Sequence, residues 1–368
     1  MSATDGQTRC ACLKKRQNDP GIVTIKHVAQ YAGVSIGTVS RVLNDAANVD
    51  AALRTRVQQV IRELGYKPNP VAQSLRSRNS RVIGVMLPDI QNPLTAAAVT
   101  GLEPVLLRAG YTLFLANTHS DRDRESQILE QFKRRHVAGV IAMVANDSDA
   151  GTIEQLENMS VPLVLLERDM DIDVDRVLTN QFEGTYRATR YLLGLGHRRI
   201  ALITVPAITY SGRERVRGFR TAYVDVSLHG PPDLIHSAGR QAPYGRDAAY
   251  ASLTARSPAT AIICSGGHLA GVIEAVRLLN LRIPKDLSLV TLGDTELAAL
   301  IEPPITAIQY DWIATGRCAA ELLVGRLSER GQGEGRRVIV PHEFLIRGSC
   351  SAIQDLKPAP ASVPQSSA

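Results

Sequence analysis

The chain has 368 residues, too many for one ordinary domain, and its 44% hydrophobic content is enough for a full core. No apolar run of 18 residues exists to span a membrane, and the opening "MSATDGQTRCACLKKRQNDPG" lacks the apolar stretch of a secretory signal. Charge is uneven: residues 1–81 carry 13 Lys and Arg against 5 Asp and Glu, whereas the other 287 carry 29 against 31. That asymmetry is the footprint of a module that touches phosphates. Five cysteines, at 10, 12, 264, 318 and 350, make an odd count without an export signal, which implies reduced thiols in the cytoplasm. Cys10 and Cys12 have no second Cys or His pair at zinc spacing, so neither a metal nor a cofactor is expected.

In chain order, residues 1–21 read as a disordered arm, and three short helices follow. Thr24 suits the N-cap of the first, with Ile25, Val28 and Ala29 on one face, and Gly33 ends it. Ser35 caps the second, which turns Val39, Val42 and Leu43 inward. The third runs from about Ala51 to Leu64, with Leu53, Val57, Val60, Ile61 and Leu64 as its apolar stripe, and Gly65, Pro68 and Pro70 stop it. Two short helices joined by a glycine turn fit a helix-turn-helix, whose second helix enters the DNA major groove. Gly37, in the first turn of that helix, lets backbone approach the groove, and Ile36 suits a thymine methyl. Arg41 can bind guanine bidentately or clamp a phosphate. Thr24, Ser40 and Asn44 suit phosphate oxygens, and Ser35 and Thr38 complete the candidate DNA-facing set.

"VTIKHVAQYAGVSIGTVSRVLN", followed by "GYKPNPVAQSLRS", resembles the DNA-binding headpiece and hinge of the LacI/GalR family of bacterial transcription regulators, in register over about 55 residues. The resemblance implies base-reading roles for Ile36, Gly37 and Arg41. It also implies a hinge over residues 69–80 that becomes helical when two copies meet on operator DNA. Leu75 matches the leucine that the family inserts in the minor groove, where an apolar wedge offsets unstacking by bending the duplex onto more protein. Arg76 would suit a narrow minor groove.

From Arg81 onward strands and helices alternate. The strands are "RVIGVML", "YTLFLAN", "AGVIAMV", "PLVLLE", "RIALITV", "TAIICS" and "LSLVTLG". Helices are expected near 93–108, 125–134, 152–159, 184–195, 213–224, 244–254 and 268–279. The rhythm predicts parallel sheets in two successive units, with a ligand crevice at the carboxyl ends of the strands. "LGHRRIALI", "RVRGF", "RIPKDLSLVTLGD", "PPITAIQYD" and "FLIRGSC" resemble the periplasmic-binding-protein-like effector domain of the same family. The implied fold class is a three-helix headpiece (22–68) and hinge helix, then a two-lobed α/β effector and dimerisation domain (81–350). Its lobes are expected at about 81–178 plus 309–336 and 179–308 plus 337–350, with a disordered tail at 351–368.

The effector residues depart from the family pattern. Arg215 matches the family arginine that grips ligand hydroxyls or carboxylate, and Glu167 and Arg168 hold positions of frequent ligand contact. The usual Asn-Asp pair is Gly266-Gly267, the first Asp of an Asp-Asp pair is Gly293 with Asp294 following, and a frequent aromatic is Leu94. With Asp89, Met143 and His268 these make the candidate effector lining. Lost carboxylates beside a retained arginine point to a small anionic effector in place of a neutral sugar. No GxSxG elbow, zinc cluster or Walker loop suggests an enzyme. A solute-binding receptor would lack the headpiece. The expected protein is a homodimeric, effector-controlled repressor of operator DNA, without membrane contact.

Overall fold

The computed structural model describes residues 23–43, 49–66, 80–239, 242–328 and 333–353. Asn44, Leu75, Arg76, hinge residues 69–79, the N-terminal arm and residues 354–368 lie outside them. Residues 351–353, expected to open a disordered tail, are instead tied to the fold: the Ser351 amide donates to Ser288 Oγ at 3.1 Å and the Ile353 amide to the Leu195 carbonyl at 2.9 Å. The chain divides into two compact units, Met1–Asn79 and Ser80–Ala368.

The first unit holds helices α1 (Ile25–Ala32), α2 (Ile36–Leu43) and α3 (Ala51–Glu63). Val28, Ala29, Ala32, Val39, Val42 and Val57 form its core, joined by half-buried Ile25, Leu43, Val60, Ile61 and Leu64. The turn between α1 and α2 depends on Gly33, whose φ of 63° is left-handed and open to glycine at little cost. The Asp50 carboxylate caps α3 by accepting from the Ala52 and Leu53 amides.

The second unit contains β1 (Val82–Leu87), α4 (Pro93–Arg108), β2 (Thr112–Asn117), α5 (Arg122–Arg134), β3 (Gly139–Ala142), α6 (Ala150–Glu157), β4 (Leu163–Leu166) and β5 (Asp175–Thr179). Then come α7 (Gln181–Gly194), β6 (Ile200–Thr204), α8 (Tyr210–Val224), β7 (Ile235–Ser237), α9 (Ala242–Thr254), β8 (Ala261–Ser265) and α10 (Leu269–Leu278). The last elements are β9 (Ser288–Leu292), α11 (Glu296–Leu300), β10 (Thr306–Tyr310), α12 (Trp312–Ser328), β11 (Arg337–Val340) and β12 (His342–Leu345). One six-stranded sheet has the order β11-β5-β4-β3-β1-β2, and the other β12-β10-β9-β8-β6-β7. Every pairing is parallel except β10 with β12. Helix α12 returns to the first lobe and packs on α4 so closely that a Cβ at Gly316 would lie 1.9 Å from the Ala98 carbonyl oxygen.

The lobe boundaries near the C-terminus differ from the expected ones. Residues 309–310 end β10 in the second sheet, and residues 337–340 form β11 in the first, so the last crossover falls at Pro341. Proline has no N–H to continue a ladder and separates two strands that read as one run in "RVIVPHEFL". Each sheet has its order reversal beside the crevice: β1 lies between β2 and β3, and β6 between β7 and β8. Loops leaving neighbouring strands in opposite directions open a hollow at their carboxyl ends.

Candidate DNA-reading helix and effector cleft

Helix α2 divides its residues by face. Val39 and Val42 are buried, Gly37 and Arg41 are exposed, and Ile36, Thr38 and Ser40 are half-buried. The Ser35 hydroxyl accepts from the Thr38 amide at 3.1 Å and lies 2.9 Å from the Thr38 hydroxyl, so both side chains serve the N-cap. A Cβ at Gly37 would meet only Ser35 Oγ, at an ordinary 3.6 Å. Packing inside this unit therefore does not demand a glycine there. Arg41 makes no ion pair among the described residues. Thr24 is exposed at the start of α1, where its amide donates to His27 Nδ1 at 3.2 Å. Tyr31, 70% exposed on α1, was not among the expected DNA-facing residues.

An inner cavity of about 80 Å3 lies between the lobes. Asp89, Leu94, Met143, Glu167, Arg168, Arg215, Gly266 and His268 all line it, whereas Asp294 does not. Asp294 instead forms a two-pronged pair with Arg347, at 2.7 and 2.6 Å, and lines a broad outer cleft of about 1530 Å3. Sequence reasoning missed Thr95, Ser211, Ser265 and Trp312 in the inner lining. The single tryptophan of the chain, opening a helix straight after a strand, was the usable signal among these.

Arg168 and Arg215 are both buried but differently engaged. Arg168 donates to the Val144 and Glu167 carbonyls and pairs with Asp147 at 3.2 Å. Asp147 also accepts from the Tyr210 amide and meets Arg213 at 3.4 Å, so one buried carboxylate ties the first lobe to the start of α8 in the second. Burial raises the Asp147 pKa against the opposing pull of these arginines. Arg168 is thus held as part of a cross-lobe cluster.

Arg215 Nε donates to Gln181 Oε1 at 2.8 Å, and Nη1 to Ser265 Oγ at 2.7 Å and Thr204 Oγ1 at 3.4 Å. Nη2 makes none of these bonds. Glu167 accepts from the Thr179 amide, from Gln181 Nε2 at 2.8 Å and from Ser211 Oγ at 3.1 Å. Gln181 therefore links the Glu167 carboxylate to the Arg215 guanidinium without a direct ion pair. Burial pushes the Glu167 pKa up and that of Arg215 down, each away from the charged form. The nearest acidic neighbour of Arg215 in sequence, Glu214, pairs instead with Arg217.

The glycine departures have a shared steric cause. A Cβ at Gly293, whose φ is 110°, would lie 2.4 Å from Leu94 Cδ1, and one at Gly266 would lie 3.2 Å from the same atom and 2.9 Å from the Gly293 carbonyl oxygen. Leu94 of the first lobe thus fills space that side chains at 266 and 293 would take in the second. At Gly267 nothing lies closer than 3.5 Å. Trp312 Nε1 is buried in this lining without a hydrogen-bond partner among the described residues.

A three-helix unit with an exposed polar recognition face, joined to a two-lobed α/β domain with an inter-lobe crevice, defines the class: a DNA-binding protein governed by a small molecule. The family model "Bacterial regulatory proteins, lacI family" matches residues 24–69, and "Periplasmic binding protein-like domain" matches residues 189–350. The HTH-type transcriptional repressor PurR of Aliivibrio fischeri is 32% identical over 335 residues, covering 90% of this chain and 99% of that protein. The ribose operon repressor of Haemophilus influenzae is 30% identical, with 87% and 96% covered. The solved lac repressor dimer, bound to operator and the anti-inducer ONPF, is 27% identical with a TM-score of 0.77, covering 90% of this chain and 99% of that one. The chain belongs to the LacI family. It is a DNA-binding transcriptional regulator, and no described helix is long and apolar enough to cross a membrane.

Proposed function

We propose that the protein is a cytoplasmic repressor that binds a palindromic operator as a homodimer and is controlled by a small anionic effector in the inner cavity. One helix-turn-helix reads only a few base pairs, and a two-fold pair doubles those contacts on a palindrome. In this reading Ile36, Gly37 and Arg41 face base edges, while Thr24 and Ser40 take phosphates with Asn44. Ser35 and Thr38 shape the helix start, and Leu75 and Arg76 of the hinge enter the minor groove. The likeness to the operator-bound lac repressor dimer supports it.

The effector assignment rests on one observation: Arg215 is fixed through Nε and Nη1, and among the described residues no hydrogen bond engages Nη2. A guanidinium held in one orientation with spare donor capacity favours a carboxylate or phosphate oxygen. Trp312 Nε1 offers a second donor, whereas the carboxylates of Asp147, Glu167 and Asp294 already accept from protein groups. A cavity of about 80 Å3 is below the ~300 Å3 at which ligand pockets usually begin, so an effector larger than a few atoms enters by parting the lobes. It then shifts the population between open and closed forms, and with it operator affinity.

A neutral sugar is the second reading, favoured by the name of the ribose operon relative. Apolar Leu94 and the glycines at 266, 267 and 293 argue against it, because they supply no side-chain partners for hydroxyls. Calorimetry with small carboxylates and neutral sugars, on wild type, Arg215→Lys and Arg215→Ala, separates the two. Carboxylate binding lost in Arg215→Ala is expected. Tight sugar binding indifferent to both substitutions would refute the anionic reading.

A further inference from the structure

Because the first sheet is parallel throughout, all its strands start at one end, opposite the crevice. Ser80 leads into β1 at that end, and residues 67–79 connect it to the helix-turn-helix unit. Charge across this end is polarised. Segments 80–82, 106–112 and 132–138, which lead into β1, β2 and β3, carry Arg81, Arg108, Lys133, Arg134 and Arg135 with no Asp or Glu. Segments leading into β4 and β5 carry Glu157, Asp171 and Asp173, all exposed, and Arg336 ahead of β11 is taken up by Asp175 at 2.7 Å. The basic half is the half at which the chain arrives from the DNA-reading unit.

Geometry brings the basic groups together. The Thr112 amide donates to the Arg81 carbonyl and the Ala138 amide to the Val82 carbonyl, both at 2.8 Å, so the three strand starts are adjacent. Arg81 lies over the Tyr111 ring at 5.7 Å and Arg135 over the Phe114 ring at 5.1 Å. Stacking fixes a guanidinium by its face and leaves its N–H edge for another partner. Arg81, Arg108, Arg134 and Arg135 are exposed, and among the described residues none of the five basic groups makes an ion pair. The nearest carboxylates along the chain, Glu103 and Glu130, sit back on α4 and α5.

Favourable interaction with the carboxyl ends of helices accounts for Arg108, Lys133 and Arg134, which lie in the last turns of α4 and α5. Arg135, the C-cap of α5, shares that explanation, but Arg81, which lies in no helix, does not. Stacked arginines on a uniformly basic surface suit a polyanion with regularly spaced phosphates.

We propose that this basic end of the first lobe grips the phosphate backbone of duplex flanking the operator, a sequence-independent grip beyond the helix-turn-helix. The proposal rests on the operator-binding reading above. It is tested with the full-length protein on a palindromic duplex that the wild type selects from a random-sequence library, made with and without about ten flanking base pairs per side. The logarithm of the association constant is measured against the logarithm of salt for wild type, for Arg81→Gln/Arg134→Gln/Arg135→Gln, and for the same triple replacement by Lys. The glutamine variant is expected to lower the magnitude of the slope by about 0.9 for each phosphate that it no longer neutralises, on flanked duplex only. The lysine variant is expected to keep the wild-type slope, and Arg41→Ala to change operator preference with the flank effect intact. Equal slopes for wild type and the glutamine variant on flanked duplex, with operator preference preserved, would overturn the proposal and leave the operator reading standing. A wild type that selects no duplex would overturn both.

Discussion

Leu94 Cδ1 occupies the space 2.4 Å from where a Cβ at Gly293 would stand, so a leucine of one lobe is seated in a hollow made by a glycine of the other. Leu94 is 8% exposed and belongs to the main core cluster. The unusual residues at 94, 266 and 293 form one packing arrangement. Gly293→Ala adds overpacking to an unfavourable φ of 110°, and each effect costs roughly 1–3 kcal/mol. Leu94→Ala in the same chain is expected to recover the steric part only. Denaturant unfolding of both single variants and the double measures this, and strict additivity would rule the coupling out.

Asp175 anchors β11 and α12 to the first sheet. It pairs with Arg326 at 2.7 Å and Arg336 at 2.7 Å. Burial opposes its ionisation, but hydrogen bonds from Arg326 and Arg336 outweigh burial and hold its pKa well below the ordinary 3.8. A carboxylate with a lowered folded pKa contributes stability that is complete above its unfolded value and fades as pH falls toward the folded one. Asp175→Asn is expected to cost about 3–5 kcal/mol at neutral pH, since it leaves Arg326 buried beside an uncharged amide. Below pH 3.8 the stability gap between variant and wild type narrows. A gap that stays constant from neutral pH through the acid range would contradict this.

Trp312 is the only tryptophan of the chain and lines the inner cavity. Effector binding is therefore expected to change the intrinsic tryptophan fluorescence of the protein. Trp312→Phe removes an N–H that has no partner among the described residues. A hydrogen bond to a charged acceptor contributes about 1.5–3 kcal/mol, so carboxylate affinity should fall about 10- to 100-fold. Calorimetry checks it; unchanged affinity would remove Trp312 from the effector's partners.

Arg41 stands exposed on α2 with no ion pair among the described residues. Arg41→Ala is expected to cost about 1–3 kcal/mol of discrimination at one position in each half-site. Binding competition against single-base operator variants reads this position by position. A uniform loss across all variants would make Arg41 a phosphate clamp.

Much of the fold was legible because apolar periodicity marks helix and strand interiors. Helix starts were less so. The helices expected at 125, 184 and 213 begin three residues earlier, at Arg122, Gln181 and Tyr210. In each, a polar residue caps the end: Asp121, Asn180 and Thr209 accept from backbone amides of the first turn. The turn at Arg122 is wholly polar, and those at Gln181 and Tyr210 hold a single aromatic each, Phe182 and Tyr210, too little for a periodic stripe; the polar cap was the usable sign. Strand β5, "DRVLT", was missed because its first residue is an acid, buried in the fold only by two arginines distant in sequence.

The lining of the inner cavity was legible where a residue type stands out, as at Arg215. The role of Arg168 was not: its partner Asp147 is 21 positions away in the chain, and nothing local announces the pair. Ser211 and Ser265 enter the lining only when two separate strand ends and a helix start converge. Sequence spacing carries no record of that convergence.

The most direct test is equilibrium binding of the full-length protein to duplex DNA at physiological ionic strength, comparing a palindrome selected from random sequence with scrambled duplexes of equal length. A two-fold regulator with α2 in the major groove should prefer the palindrome by about 10³-fold or more. That preference should weaken sharply on a single half-site and shift when a bound carboxylate parts or closes the lobes. Equal affinity for palindrome and scrambled duplex, with and without small carboxylates, would contradict it.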